Sequence, residues 1–223
     1  MNQLTKTIQV QSLGLKPYET VLHDMQSFTR NRDDKTPDQL WLVEHEKVFT
    51  QGRHGKGKHI LSTGDIPIVQ TDRGGQVTYH GPGQAVVYFL IDLKRTKIGI
   101  KNLVCLIEKS AIEMLKQFGI ESHLQENAPG VYVNDQKVCS LGLRVKQGRT
   151  YHGLSINVDM DLSPFKLINP CGYKNLQMAE IKQFKADITL NEVYNVYTKI
   201  FSEKFNEAVK AKVANVGVDA CLS

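Results

Sequence analysis

The residue best suited to covalent chemistry is Cys171, which lies between Pro170 and Gly172 in the segment INPCGYKN. A cysteine flanked by turn formers has a fixed place on an irregular backbone, which suits a nucleophile. Most free cysteines are small buried hydrophobic residues instead, so spacing alone leaves both interpretations open. The other three cysteines lie in a helical pattern, a strand pattern and the C-terminal tail, and are predicted to be inert: Cys105, Cys139 and Cys221.

Lys137 and His80 are the candidate proton-transfer groups. Lys137 begins a predicted strand, and the side chains at every second position after it are apolar. A lysine on such a face is partly desolvated, which lowers its pKa and makes it a candidate base. The alternative is that Lys137 reaches water beside the turn. His80, in TYHGPG, is a candidate general base or a group that orients a substrate.

A glycine-rich stretch, residues 71–93, organises the rest of the chain. It contains four glycines within ten residues, and polar side chains lie between them. Glycine permits positive φ and close approach of the backbone to a ligand, so the stretch is predicted to form a ligand-binding loop; the alternative is a turn between strands. It lacks the GxxxxGK[ST] and GxGxxG patterns of phosphate-binding loops, which disfavours a nucleotide site.

Composition and charge limit the functional classes. The chain has 223 residues, 41% of them hydrophobic and 23% charged, which is ordinary for a globular protein. No apolar run is long enough to span a bilayer, the N-terminus does not resemble a signal peptide, and the cysteines do not form a disulfide pattern. A cytoplasmic location is therefore expected. The net charge of +5 indicates either simple solubility or an acidic partner.

Nucleic-acid binding and metal binding are not expected. No RNP, KH or zinc-finger pattern is present. His54 and His59 have a poor spacing for metal ligation, and the chain has neither HExxH nor a Cys/His cluster. Basic residues cluster at 52–59 (GRHGKGKH) and 181–185 (IKQFK), and the sequence assigns neither cluster a role.

Hydrophobic spacing predicts an α+β fold in which a mixed or antiparallel sheet is flanked by helices. Helices are predicted from Pro17 to about Arg30, from Asn102 to Phe118, and from Thr189 to about Val209, the last with a capping box. Strands are predicted at 7–13, 39–45, 84–92, 130–133, 137–145 and 150–158. The run at 84–92 is apolar on both faces, as in an interior strand. Residues 134–136 form a hairpin turn, and residues 162–173 form an irregular loop.

Four segments together resemble the octanoyltransferases of lipoate biosynthesis, the lipoyl(octanoyl) transferases. They are LWLVEHEKVFTQGRHG (40–55), RGGQVTYHGPGQAVVYFLIDL (73–93), GVYVNDQKVCSLGLRV (130–145) and YHGLSINVDMDLSPFKLINPCGY (151–173). The resemblance is strongest over residues 39–180 and implies a single catalytic domain, residues 1–223, with the fold of biotin- and lipoate-protein ligases.

The resemblance also implies a reaction. An octanoyl group passes from octanoyl-acyl carrier protein to a lysine of a lipoyl domain, in 2-oxoacid dehydrogenases and the glycine cleavage system, with no cofactor. Cys171 is implied as the acyl-thioester nucleophile and Lys137 as the base that lowers the pKa of the thiol. The implied acyl-binding residues are Arg73, Gly74, Gly75, Gln76, Val77, Thr78, Tyr79, His80, Ser140, Leu141, Gly142, Gly153, Leu154 and Ser155.

Two other functions remain open at this stage. An ATP-dependent lipoate- or biotin-protein ligase has the same fold and keeps a lysine like Lys137, and the basic cluster at 52–59 is similar to the basic glycine loop of biotin ligases. The segment around Cys171 argues against a ligase, which needs no cysteine nucleophile. A non-catalytic binder of carrier proteins or nucleic acids is the alternative from another class.

Overall fold

The computed structural model describes residues 8–126 and 128–213, so Cys221 lies outside the described residues. The strands are β1 Gln9–Lys16, β2 Gln39–His45, β3 Val48–Gln51, β4 Ile68–Gln70, β5 Val77–His80, β6 Gln84–Leu90, β7 His123–Leu124, β8 Gly130–Val133, β9 Gln136–Lys146 and β10 Arg149–Asn157. The helices are α1 Tyr18–Asn31, α2 Leu93–Thr96, α3 Ile100–Gln117 and α4 Leu190–Val213.

A seven-stranded mixed sheet forms the centre of the fold, in the order β1-β2-β6-β10-β9-β8-β7. β1 and β2 are parallel, and the other neighbours are antiparallel. The predicted α+β class, with a mixed sheet flanked by helices, is confirmed. Three 3-10 turns lie within 162–183, where the sequence predicted an irregular loop up to residue 173.

β6 is the interior strand predicted from its apolar run, and all seven of its residues are buried. Successive side chains of a strand point to opposite faces, so β6 contributes to two separate cores. Val87 and Phe89 pack in the larger core with α3 and α4. Val86 and Tyr88 pack in a second core with α1. The helices therefore cover both faces of the large sheet.

The helices and the hairpin follow the local signals in the sequence. The backbone N–H of Glu192 donates to the Thr189 hydroxyl, and Thr189 N–H donates to the Glu192 carboxylate, which confirms the capping box of α4. Asn134 and Asp135 both have positive φ, 47° and 63°. This is the conformation of a two-residue hairpin turn, and it places Lys137 at the start of β9 on the side facing the Cys171 loop.

A second, three-stranded sheet in the order β4-β3-β5 was not predicted. Residues 77–80, interpreted as part of a ligand-binding loop, form the strand β5 instead. Strands of three or four residues give little periodicity, and β3 pairs with segments about 20 to 30 residues away in the chain. Local spacing therefore contained no signal for them. Among the described residues, no helix is long and apolar enough to cross a membrane.

Candidate active site

Cys171 lies at the tip of a tight turn and has a left-handed backbone, with φ 55° and ψ 13°. This conformation costs a non-glycine residue roughly 1–2 kcal/mol and is concentrated at functional sites. Gly172 follows with φ +83°, and a Cβ there would lie 2.2 Å from the Gln76 amide nitrogen. The N–H groups of Gly172 and Tyr173 donate to the carbonyls of Asn169 and Pro170. These two hydrogen bonds close the turn that holds Cys171.

Backbone hydrogen bonds hold the Cys171 loop against β9. Lys137 N–H donates to the Gln177 carbonyl at 2.9 Å, and Ala179 N–H donates to the Lys137 carbonyl at 3.0 Å. Asn157 of β10 also donates its side-chain amide to the Ala179 carbonyl at 2.9 Å. The segment that follows the Cys171 loop is therefore paired with the backbone of Lys137.

The Nζ of Lys137 lies 3.3 Å from the Sγ of Cys171. Lys137 is only 1% exposed, so the alternative that it reaches water is wrong. Its ammonium also lies 5.3 Å from the centre of the Tyr132 ring. Gly130 leaves room for the lysine stem, because a Cβ there would lie 2.6 Å from the lysine Cε. Two residues 34 positions apart in sequence thus form a buried thiol–amine pair.

The charge state of Lys137 differs from the sequence-based expectation. Burial lowers the pKa of Lys137, as predicted. The neighbouring Cys171 sulfur and Tyr132 hydroxyl raise it, and the net shift is upward. The predicted lowering of this pKa is therefore wrong in direction. An amine with a raised pKa is cationic at neutral pH, so Lys137 places a positive charge 3.3 Å from the sulfur of Cys171.

A cavity of about 490 Å³, counted to its open mouth, adjoins Cys171. It lies between the glycine stretch, β6, β9, β10 and the first residue of α1. Of the implied acyl-binding residues, twelve line it: Arg73, Gly75, Gln76, Val77, Thr78, His80, Ser140, Leu141, Gly142, Gly153, Leu154 and Ser155.

Two implied residues lie outside the cavity lining. The Tyr79 ring packs against Phe49 and Phe165 in the core of the small sheet. Gly74 N–H donates to the Leu143 carbonyl at 3.0 Å, which fixes the glycine stretch to β9. Tyr79 and Gly74 therefore do not contact the cavity directly. They hold in place the strand and the loop that form its wall.

Gly153 lines the cavity and also has a structural role in the sheet. A Cβ at Gly153 would lie 1.9 Å from the Val87 carbonyl oxygen of the neighbouring strand. The residue is therefore needed for the close approach of β10 to β6. A Cβ at Gly142 would lie 3.1 Å from the Gly74 carbonyl oxygen. This glycine therefore allows β9 and the glycine stretch to lie close together.

Four cavity residues were not predicted: Tyr18, Val86, Tyr88 and His152. Val86 and Tyr88 share one face of β6, so the alternation of an interior strand contained a signal for them. Tyr18 is far away in sequence and reaches the cavity through α1, where its hydroxyl donates to Thr71 Oγ1. His152 has positive φ, 62°, and its Nε2 lies 2.9 Å from a carboxylate oxygen of Asp72.

His80 and His45 are buried beside the cavity and are neutral at neutral pH. Burial lowers the pKa of His80 to about 3, which makes it too weak a base for the reaction. Its Nδ1 lies 2.7 Å from the Gln84 amide oxygen, so orienting the wall is the role that fits. Burial lowers the pKa of His45 to about 4.

The two hydrogen bonds of His45 fix its tautomer. A carbonyl only accepts, so Nδ1–H donates to the Lys16 carbonyl at 3.0 Å, and Nε2 accepts from the Tyr88 hydroxyl at 2.7 Å.

We expect the free energy of unfolding to fall below pH 6.5 in a way that depends on His45. A folded pKa near 4 against an ordinary value of 6.5 means that the unfolded chain binds the proton first. This contribution is complete above pH 6.5 and is lost as the pH falls towards 4, by about 2 kcal/mol between pH 7 and pH 5. Urea unfolding at both pH values should show that His45→Gln loses less free energy of unfolding between pH 7 and pH 5 than the unmodified protein does. Equal losses in His45→Gln and in a control at the exposed His23, His23→Gln, would contradict it.

Arg73 places a buried positive charge in the cavity wall. It is 8% exposed, and its guanidinium donates to the Thr50 carbonyl at 2.6 Å, to the Thr50 hydroxyl and to the Gly74 carbonyl. Within 8–126 and 128–213, no carboxylate forms an ion pair with it. Burial lowers the pKa of Arg73, and the neighbouring Tyr18, Cys171 and Tyr88 partly offset this. An arginine remains charged at neutral pH in any case, so the cavity wall carries a fixed positive charge.

Replacing this charge should slow formation of the acyl-enzyme that the sequence resemblance implies. We expect Arg73→Gln to lower the rate of Cys171 acylation about 10- to 100-fold, because a preorganised donor beside developing charge is lost. Arg73→Lys should recover part of the rate. The measurement is the single-turnover rate of adduct formation by mass spectrometry. An unchanged rate in a folded Arg73→Gln protein would exclude an electrostatic role.

Solved structures share this architecture. A lipoate-protein ligase A bound with ATP aligns over 93% of this chain and 94% of its own, with a TM-score of 0.73 and 13% sequence identity. A biotin protein ligase from Aquifex aeolicus aligns over 93% of this chain and 75% of its own, with a TM-score of 0.55 and 15% identity. Together they define the class of the fold, that of the lipoate- and biotin-protein ligases.

Sequence comparison defines the family. The profile of the lipoyl protein ligase A/B catalytic domain matches residues 17–202. The octanoyltransferase of Shewanella amazonensis is 55% identical over 198 residues, 89% of this chain and 92% of the relative. That of Escherichia coli is 56% identical over 186 residues, 83% and 87%. The chain belongs to the lipoyl protein ligase A/B catalytic domain family, in its octanoyltransferase branch, and is an acyltransferase.

Proposed function

We propose that this protein transfers an octanoyl group from octanoyl-acyl carrier protein to a lysine of a lipoyl domain, through a thioester on Cys171. The observation that carries the proposal is the 3.3 Å approach of Lys137 Nζ to Cys171 Sγ beside the cavity. Lipoyl domains as acceptors are consistent with the matched family, the lipoyl protein ligase A/B catalytic domain. A nucleophile that must remain a reduced thiol also fits the cytoplasm. The catalytic unit would be the whole chain, as one domain.

The first step forms the acyl-enzyme. The Cys171 thiolate attacks the donor thioester carbonyl, and the resulting oxyanion collapses to expel the carrier thiolate. The Lys137 ammonium gives a proton to that leaving sulfur and becomes a neutral amine. One thioester replaces another, so the free energy is nearly level and no ATP is consumed.

The second step releases the product. The neutral amine of the acceptor lysine attacks the Cys171 thioester, Lys137 takes its proton, and the Cys171 thiolate leaves as the amide forms. Lys137 returns to the ammonium form and Cys171 to the thiolate, so the starting state of the enzyme is regenerated. An amide is more stable than a thioester, which drives the second step forward.

The cavity fits the acyl chain. Val77, Val86 and Leu154 contribute apolar wall, and burial of a methylene group yields roughly 0.8 kcal/mol. Burial of the octanoyl chain would supply several kcal/mol on this scale and would hold the carbonyl near Cys171. We infer that Arg73, which lines the same cavity as Cys171, stabilises the oxyanion.

Intact mass spectrometry tests the proposal directly. The protein is mixed with octanoyl-acyl carrier protein without ATP, and the mass of Cys171 peptides is followed before and after addition of a lipoyl domain. We expect an octanoyl adduct that disappears as the lipoyl domain gains the same mass. A requirement for ATP, with no adduct on Cys171, would favour the ligase reaction instead; the octanoyltransferase relatives do not favour that alternative.

A further inference from the structure

A strip of positive charge runs along the rim of the active site. Residues 52–62, GRHGKGKHILS, are here called the basic rim segment. It contains no acidic residue, and the side chains of Arg53, His54, Lys56 and Lys58 are exposed. The sequence pattern singled out most of this segment but gave it no role.

One half of the basic rim segment is bonded to the cavity wall. Arg53 N–H donates to the Arg73 carbonyl at 3.0 Å, and His54 N–H donates to the Gly75 carbonyl at 3.1 Å. Gly52 N–H also donates to the Gln76 carbonyl at 3.2 Å. All three acceptors belong to residues that line the cavity. The exposed cationic side chain of Arg53 therefore lies at the edge of the cavity.

The other half is bonded to the loop that carries the nucleophile. Asn169 N–H donates to the His59 carbonyl at 2.7 Å, and Leu61 N–H donates to the Leu167 carbonyl at 2.9 Å. Asn169 is two residues from Cys171. The segment thus connects the glycine stretch to the Cys171 loop, and its main chain is fixed at both ends by hydrogen bonds.

The charge on this rim is not neutralised within the described part of the chain. In residues 8–126 and 128–213, no carboxylate forms an ion pair with Arg53, Lys56 or Lys58. The nearby Lys47, in contrast, lies 3.9 Å from Asp161. Leu61, at the end of the segment, is 61% exposed. A rigid surface that combines free cations with an exposed apolar side chain has the composition of a docking site for an acidic protein.

We propose that the basic rim segment docks the acidic surface of the carrier protein that presents the octanoyl thioester. This inference rests on the proposed function and adds the surface on which the donor binds. The donor thioester must reach Cys171 from outside the cavity mouth, where this strip lies. Complementary charge raises association rates 10- to 1,000-fold and loses its effect as salt is added.

The test compares two donors in one variant. The triple variant Arg53→Glu, Lys56→Glu, Lys58→Glu is acylated with octanoyl-acyl carrier protein and with octanoyl-pantetheine, a small neutral thioester. We expect kcat/KM for the carrier-bound donor to fall at least 10-fold at low salt, with the rate for the small donor within about twofold of the unmodified protein. Added salt should slow the unmodified protein with the carrier-bound donor and should not slow the variant, in which salt screens a repulsion instead.

A matched control separates local charge from total charge. Lys101→Glu, Lys116→Glu, Lys199→Glu reverses three exposed lysines on α3 and α4 and changes the net charge equally, from +5 to −1. We expect it to retain the carrier-bound rate. An equal loss in this control would overturn the proposal. So would a triple variant that is normal with octanoyl-acyl carrier protein, or one that is slowed only when preformed acyl-enzyme meets a lipoyl domain.

The same assays distinguish failure of the docking proposal from failure of the proposed function. If the unmodified protein forms no Cys171 adduct with either donor, the proposed function fails. If both donors acylate the unmodified protein and the triple variant equally well, only the docking surface is wrong. The small-donor rate also reports whether the triple variant is folded with an intact active site.

Discussion

Cys171→Ala should lose about 10,000-fold or more of the octanoyl-transfer rate, and no acyl adduct should form. Removing a covalent nucleophile eliminates both steps of the proposed pathway, and losses of this size are typical of such changes. Cys171→Ser should recover little, because an amine does not ionise a serine hydroxyl as it does a thiol, and an ester is a poorer acyl donor than a thioester. The measurements are turnover with a lipoyl domain and the intact mass after exposure to the donor.

Cys139→Ala is the matched control for this prediction. Cys139 lies in the same strand as Lys137 but is fully buried, and burial raises the pKa of its thiol far above the ordinary range. We therefore expect its removal to leave transfer within a few-fold of the unmodified rate. Substantial turnover in Cys171→Ala, or an octanoyl adduct on another residue, would show that the sulfur of Cys171 does not carry the acyl group.

Lys137→Met should lower the transfer rate about 100- to 10,000-fold, the usual contribution of a positioned acid–base group. Methionine keeps the length of the side chain and suits a buried position, but it removes the charge beside Cys171 and the proton carrier. Alkylation of Cys171 by iodoacetamide at pH 7 should slow as well, because the thiolate loses its cationic partner. The two rates are measured separately, by transfer assay and by mass spectrometry.

Lys146→Met is the matched control for Lys137→Met. Lys146→Met changes an exposed lysine at the end of the same strand and should leave both rates unchanged. The proposed role for Lys137 requires that alkylation and transfer both fall in Lys137→Met. If transfer falls while alkylation of Cys171 keeps its full rate, the amine would act on the acceptor lysine alone and would not stabilise the thiolate.

The sequence determined the elements with strong local periodicity. The interior strand β6, the amphipathic helices α1 and α3, the capping box of α4 and the hairpin before Lys137 all lie close to their predicted bounds, because each depends on residues a few positions apart. Cys171 and Lys137 were likewise identifiable as residues, one by its place between turn formers and the other by the apolar face that follows it. The resemblance over residues 39–180 added the family, which the relatives confirm.

The tertiary structure decided what those residues can do. The 3.3 Å contact between Lys137 and Cys171 joins side chains 34 positions apart and depends on backbone pairing between residues 40 and 42 positions apart, for which no local pattern exists. The upward shift in the Lys137 pKa also depends on the tertiary structure. Burial lowers this pKa and Cys171, distant in sequence, raises it, so the folded positions of these groups determine the net shift. The three-stranded sheet, the cavity wall formed by Tyr18 and His152, and the position of the basic rim segment beside Cys171 are likewise long-range contacts. Spacing along a chain identifies which residues have suitable chemistry, but the distances and fields that make them act together exist only after folding.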